Sequence, residues 1–213
     1  MKHKPIIVIG AGGHSKVLID TLLQQNVNIL GIVDSDQMKI GQSVLKIKIV
    51  GDDFYINNYD PLNIDLVNGL GSVAATYLRE KIYMYFKEQG YFFRSVIHSS
   101  AVISQNAVWA EGVQVMAGAV IQAGCHIGNN TIINTRTSID HDCRVLDHVH
   151  IAPGCVLSGN VSVGFGAHIG TGTTVIQEKK IGNRVLVGAG SLVLQDIKSN
   201  LKFWGVPARE VKK

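Results

Sequence analysis

Residues 121–139 read Ile121-Gln-Ala-Gly-Cys125-His-Ile127-Gly-Asn-Asn-Thr131-Ile-Ile133-Asn-Thr-Arg-Thr137-Ser-Ile139. An aliphatic residue returns every six positions, and a small or β-branched residue follows each by four: Cys125, Thr131, Thr137 and then Cys143. The same register extends back through Val115, Trp109 and Ile103 to Ile97 and forward through Ile181 and Val187 to Val193. Of these seventeen hits only Trp109 is not Ile, Leu or Val, and Lys179 is the one clear exception at the small position. A period of six is neither that of a helix nor that of an amphipathic strand followed by a hairpin. It fits a parallel β-helix, in which each hexad makes one short side and a corner, and three sides close a coil. Stepping eighteen residues along the chain then climbs one coil, about 4.8 Å. Seventeen hexads make about five and a half coils, with aliphatic side chains inside. Glycines such as Gly128, Gly164, Gly170, Gly182 and Gly188 are expected at the corners. Coincidental strands of a sandwich would not hold the register without a slip.

The residues before Ile97 lack this period. Ile6-Ile7-Val8-Ile9 is a continuous apolar run, as in a strand buried on both faces. Gly10-Ala11-Gly12-Gly13-His14 follows, then an amphipathic helical pattern over residues 15–25. Residues 29–33 read as a second strand closed by Asp34, with further short strands over 46–50 and 64–70, a helix over 74–90 and a strand over 91–96. Strands alternating with helices predict a small parallel α/β sheet. The expected division is a Rossmann-like unit over residues 1–95 and a β-helix with a C-terminal tail over 96–213, packed together without a Pro/Gly/Ser-rich linker.

Composition narrows the function classes. The 213-residue chain is 46% hydrophobic and 17% charged, too apolar for disorder. No run of about 18 apolar residues predicts a membrane span, and the first apolar segment is too short for a signal peptide. A net charge of +4 gives little reason to expect nucleic acid. Three cysteines without a C-x-x-C pair fit a reducing cytoplasm, and the Cys and His spacing supports no metal site. Cys125, Cys143 and Cys155 all fall at the small hexad position and read as buried fillers. The conspicuous excess is Gly, at 23 residues.

Two places concentrate chemistry. The Gly10–His14 turn lies between a first strand and a first helix, where turn amides and the helix N-terminus attract an anion. Ser15 takes the place of the third glycine of a dinucleotide fingerprint, and the strands are too few for a full dinucleotide fold. A nucleotide-linked ligand is therefore expected rather than NAD. Asp34 can accept hydrogen bonds from a nucleoside, or simply end a turn. In the repeat, stepping eighteen residues from His141 reaches Ala123 and Gly159, which leaves room for a substrate beside the ring. By the same rule His150 stacks between Ile132 and His168. Asp140 and Asp142 flank His141, and either could polarise it. Adjacent strand residues face opposite ways, so Asp142 would need the corner to turn it. After the last hexad, Gly205-Val206-Pro207-Ala208-Arg209 could be a plain terminus or could bring Arg209 to an anionic ligand.

The hexads, Asn134 with His141-Asp142 seven residues on, and the Gly-Val-Pro-Ala-Arg segment resemble the left-handed β-helix acyltransferases. The leading Ile-Gly-Ala-Gly-Gly-His, the Asp34 strand end, and Arg79 after Gly71 are similar to the branch of sugar acetyltransferases that includes the sialic acid O-acetyltransferases and the bacillosamine-type N-acetyltransferases. The resemblance covers essentially the whole chain. It implies a homotrimer with acetyl-CoA in the groove between neighbouring β-helices and a nucleotide sugar on the N-terminal unit. It places Gly12, Gly13 and His14 at the phosphates or sugar, Asp34 and Ser35 at the base, and Gly71 beneath it. His141 matches the general base, Asp142 its acidic neighbour, and Asn134 lies close to the reacting centre. His150, Thr171 and Ala189 match positions that contact acetyl-CoA. The implied reaction is direct acetylation of the 4-amino group of a UDP- or dTDP-linked 4-amino-4,6-dideoxysugar for a bacterial surface glycan. O-acetylation of sialic acid or another sugar is the alternative, and a non-catalytic β-helix scaffold trimer a second one.

Overall fold

The computed structural model describes residues 4–72 and 76–211. The chain divides into two compact units, Met1–Gly71 with Lys81–Val96, and Ser72–Glu80 with Ile97–Lys213.

The first unit is built on β1 (Ile6–Ile9), every residue of which is buried. It is followed by α1 (Gly13–Gln24), β2 (Ile29–Val33), the short β3 (Ser43–Val44), β4 (Ile47–Gly51), β5 (Asp65–Asn68), α2 (Tyr77–Glu88) and β6 (Phe92–Phe93). The sheet order is β3-β4-β2-β1-β5-β6, parallel except for the β3–β4 hairpin. Strand order reverses at β1, so the carboxyl ends of β1, β2 and β5 open onto a crevice where ligands of such sheets bind. Leu18, Ile19 and Leu22 of α1 and Phe86 of α2 are buried. Each such side chain contributes about 1.5–3 kcal/mol when fully buried. The start of the helix expected over 74–90 lies outside the described residues. The strand expected over 91–96 is two: Phe92–Phe93 pairs with β5, whereas Val96–Ile97 belongs to the second unit's sheets.

The second unit is the β-helix that the hexads call for. Seventeen two-residue strands, from Val96–Ile97 to Leu192–Val193, fall into three parallel sheets. Partners are eighteen residues apart, as in Ile121 with Ile139 and Val145 with Val163. Ile133, Ile139, Ile151, Leu157 and Ile169 are fully buried along the axis. Trp109 is 44% exposed, because its strand is the outermost of its sheet.

Corners are made by residues in the left-handed region, in three columns: Gly118, Arg136, Gly154, Gly172 and Gly190; Gly112, Asn130, His148, Gly166 and Arg184; Gly124, Asp142, Asn160 and Glu178. The glycines expected at corners have another role. Cβ atoms at Gly128, Gly164, Gly170 and Gly182 would come within 2.5–2.6 Å of backbone nitrogen or carbon on the next turn. These four permit close stacking rather than turning, which Arg, His, Asp and Asn accomplish as well as Gly.

The small hexad position has a polar reason too. The Cys125 thiol donates to Asp140 O, Cys143 to Ser158 O and Cys155 to Gly170 O, at 3.0–3.2 Å. The Thr131, Thr137 and Thr173 hydroxyls donate to carbonyls at the same offset. Thiol and hydroxyl are thus interchangeable fillers that satisfy a buried carbonyl at each coil. After the last hexad, Lys202–Trp204 extends one sheet and Arg209–Glu210 folds back antiparallel upon it, covering an otherwise open edge.

Candidate active site

In the first unit, the Gly10 amide donates to Val33 O at 2.7 Å and the Gly69 amide to Ile9 O at 2.8 Å. Three strand ends are thereby drawn together. Gly10 has φ +91° and faces Leu70, and a Cβ at Gly69 would stand 2.7 Å from Ile9 O, so both positions need glycine. Gly12 and Gly13 are different: both are exposed, and an added Cβ would meet nothing within 4 Å. Their openness faces outward. Gly12 caps α1 without a side-chain bond and no acidic residue occupies the first turn, so the helix amides and dipole are left to an external anion. A cleft of about 330 Å³ lies here, lined by Ala11, Gly12, Gly13, Lys16 and the β3 hairpin residues Ser43, Val44 and Leu45. Lys16 supplies a cation that motif matching did not single out. His14 lies over Gly71, where a Cβ would come 3.2 Å from its own.

Asp34 is buried, and both its oxygens are engaged. Oδ2 accepts from the Ala11 amide at 2.7 Å, Oδ1 from the Asp36 amide at 2.9 Å, and Lys39 Nζ donates to both at 3.1–3.2 Å. Burial pulls this carboxyl's pKa up, but the two amides and the ammonium outweigh it and hold it below the ordinary value. Asp34 therefore braces the glycine turn against the end of β2, and Lys39 and the exposed Ser35 stand beside it.

In the second unit, His141 Nδ1 lies 2.8 Å from Asp142 Oδ2. Asp142 has φ +61°, which swings its side chain back to the face of its neighbour and makes possible a pairing that strand alternation forbids. Asp140 Oδ1 accepts from the His141 amide at 2.9 Å and steadies the backbone. The hydrogen bond to Asp142 raises the imidazole pKa above 6.5, with smaller contributions from the charges of both aspartates. A Cβ at Gly159 would lie 2.6 Å from His141 Cε1 and Nε2, so the ring rests directly over a bare backbone one coil on. The pair is solvent-facing, with the carboxylate holding Nδ1–H and leaving Nε2 for a substrate proton.

Known proteins share the sequence families and the fold of this chain. Residues 5–86 match the PglD N-terminal domain family, and residues 124–159 the bacterial transferase hexapeptide family (six repeats). The structure superposes on the acetyltransferase domain of PglB from Neisseria gonorrhoeae FA1090, in complex with acetyl coenzyme A, with a TM-score of 0.90 and 33% identity, covering 98% of this chain and 100% of that one. PerB from Caulobacter crescentus, in complex with CoA and GDP-perosamine, gives a TM-score of 0.90 and 36% identity, covering 98% and 97%. The GDP-perosamine N-acetyltransferase of Escherichia coli O157:H7 is 24% identical over 97% of this chain and 96% of its own. The chain spans only 38% of the acyl-[acyl-carrier-protein]–UDP-N-acetylglucosamine O-acyltransferase of Sinorhizobium fredii, at 30% identity. The chain belongs to the acetyl-CoA-dependent acetyltransferases of the left-handed β-helix family.

The acetyltransferase's other expected site residues fall into separate groups. Asn134 joins His150, whose Nε2 lies 3.1 Å from Asn134 Nδ2; His150 Nδ1 lies 2.6 Å from Ser72 Oγ. His150 stands between Ile132 and His168 in register, and the two imidazoles meet edge to face at 4.9 Å. Thr171 and Ala189 are exposed on successive coils, beside Gly172 and Gly190, where an added Cβ meets nothing. Arg209 is exposed on the C-terminal hairpin, where its Nη1 donates to Ala208 O. Asn134 and His141 follow strands of different sheets, so one coil presents them on different sides.

Sequence reasoning missed what Thr76 and the first turn of α2 do, and named Arg79 only as a point of resemblance. Thr76, Arg79 and Glu80 each meet the column Asn130, His148, Gly166 and Arg184. Thr76 Oγ1 donates to Gly166 O at 3.0 Å, Arg79 Nε to Asn130 O at 3.3 Å, and Arg184 pairs with both Glu80 oxygens at 3.0–3.1 Å. Burial lowers the Arg79 pKa to about 9. The only sequence signal was the polar identity of that column at its eighteen-residue spacing.

Proposed function

We propose that this acetyltransferase moves the acetyl group of acetyl-CoA to the 4-amino group of a nucleotide-linked 4-amino-4,6-dideoxysugar. The observation that carries the reading is the His141–Asp142 pair set over the bare backbone of Gly159. Asp142 accepts Nδ1–H, so Nε2 carries the lone pair. The neutral amine nitrogen attacks the thioester carbonyl carbon. His141 Nε2 takes one amine proton as the C–N bond forms, the C–S bond breaks, and the proton passes to the departing CoA thiolate. General-base assistance of this kind is worth roughly 10²–10⁴-fold, and holding both substrates together contributes more. The exposed strip at Thr171, Gly172, Ala189 and Gly190 suits the extended arm of CoA, and the open N-terminus of α1 with Lys16 suits a diphosphate. A free sugar has less need of a nucleotide pocket beside that turn, and the single carboxylate of sialic acid makes less use of it than a diphosphate does, which favours a nucleotide sugar.

UDP and dTDP sugars are the first acceptors to try, and the GDP-perosamine bound by PerB adds GDP to the set. The test is CoA release from acetyl-CoA with 4-amino-dideoxysugars on each nucleotide, and with sialic acid. Turnover of one nucleotide sugar, falling about 10²-fold or more in His141→Ala with its binding kept, supports the reading. Turnover of sialic acid alone, or full activity of His141→Ala, overturns it.

A further inference from the structure

We propose that Ser72 is a positioning residue for the transfer reaction, acting through His150 on Asn134. The inference rests on the acetyl transfer proposed above and adds a link that the reaction itself does not require.

The Thr135 amide donates to Asn134 Oδ1 at 2.8 Å. A backbone N–H has one role, so the orientation of the Asn134 amide is fixed by the network, with Nδ2 turned to His150. Nδ2 has only hydrogens to offer, so His150 Nε2, 3.1 Å away, must carry a lone pair. The proton of the neutral imidazole then sits on Nδ1, which donates to Ser72 Oγ at 2.6 Å. The Ser72 hydroxyl hydrogen is free to turn to His168 Nδ1, 3.5 Å off, in the tautomer that leaves that nitrogen its lone pair, and burial lowers the pKa of the ring, which favours its neutral form. The four side chains form one directed series, from Asn134 to His150 to Ser72 to His168. Ile132 and His168 hold the His150 ring from the adjacent coils.

The consequence lies at the near end. Nδ2 has two hydrogens, and His150 takes one. Asn134 is half-buried, and no acceptor among the described residues takes its second N–H, which leaves it to a ligand oxygen. With the His150 tautomer held by Ser72, that N–H has a fixed direction, as a donor to the thioester carbonyl oxygen must have when charge develops upon it. Were His150 to carry its proton on Nε2, it would oppose the Asn134 amide and turn it away. Ser72 lies 78 residues before His150, in the short segment that folds with the β-helix. It touches neither reacting group, so it acts by selecting a tautomer.

The test compares Ser72→Ala with Ser72→Thr in the full chain. Nitrogen-15 spectra of the labelled imidazoles should show His150 protonated on Nδ1 in the parent and in Ser72→Thr, and a mixed or Nε2-protonated ring in Ser72→Ala. Acetyl transfer should lose about tenfold in kcat in Ser72→Ala, the size of one hydrogen bond's contribution, with KM for acetyl-CoA unchanged and Ser72→Thr restored. A parent ring protonated on Nε2, or Ser72→Ala with the parent's tautomer and kcat, overturns the proposal. Ser72→Thr as impaired as Ser72→Ala also overturns it. Should the chain acetylate no amino sugar, the proposed function fails, while the spectra still decide the state of His150.

Discussion

The catalytic pair proposed at His141 needs little from the fold. Its partner is the next residue, the turn that joins them is a corner the β-helix makes anyway, and the space beneath it is a glycine one coil on. Because the Asp142 hydrogen bond raises the imidazole pKa above 6.5, activity that depends on neutral His141 should fall as pH drops through a value above that figure. In Asp142→Asn the support is gone. The acidic limb of the kcat/KM profile should then move to lower pH while the plateau drops at least tenfold, in the range of general-base effects; an unmoved limb would show that another group titrates. Gly159→Ala should push the ring aside, since its Cβ would lie 2.6 Å from Nε2. The exposed ring can rotate away cheaply, so thermal unfolding should stay close to the parent's while kcat falls. The sequence revealed Gly159 and His141 through the eighteen-residue step, because that step is a property of the fold. It did not reveal whether Asp140 or Asp142 holds the ring, because the answer lies in one φ angle. Ser72 left no trace at all, since nothing local to it names a partner 78 residues away.

At the scale of elements, the glycine turn between β1 and α1 owes its shape to a carboxylate on the neighbouring strand. Asp34 ties the Ala11 amide to the end of β2 and takes Lys39 across both oxygens. Its folded pKa lies below the ordinary 3.8, so the stability it contributes is present above the unfolded value and is lost as pH falls through the folded one. Asp34→Asn should therefore destabilise the N-terminal unit by about 1–3 kcal/mol at neutral pH, the cost of leaving charged and buried partners unmatched. In urea unfolding the gap from the parent should close as the solution is acidified below pH 4 or so. A gap independent of pH would mean that shape, not charge, is what Asp34 supplies. The position of Asp34 at a strand end was legible from the alternation of strands and helices. Its engagement was not: a carboxylate placed there can face the ligand or the turn, and only the geometry of Ala11, Asp36 and Lys39 separates the two. The split of 91–96 into two strands was equally hidden, because Phe92–Phe93 and Val96–Ile97 are both apolar pairs and only their hydrogen-bonding partners differ.

For the molecule as a whole, the hexad period specifies a three-sided prism, and a prism has a consequence for the reaction. Asn134 and His141 belong to one coil but follow strands of different sheets, one side apart. In the homotrimer that the family resemblance implies, two sides one step apart on neighbouring chains would face a shared groove, and we propose that His141 of one chain there works with Asn134 of another. Such a homotrimer is testable by mixing. His141→Ala and Asn134→Ala chains should each be nearly inactive alone, and light scattering should give each the mass of three chains. Unfolded together and refolded in equal amounts, they should recover about a quarter of the parent activity. In a random cyclic trimer each site draws its histidine from one chain and its asparagine from a neighbour, and a quarter of such pairs are intact. No recovery on mixing would mean that each site is furnished by one chain, and the grooves between copies would then serve only to hold acetyl-CoA.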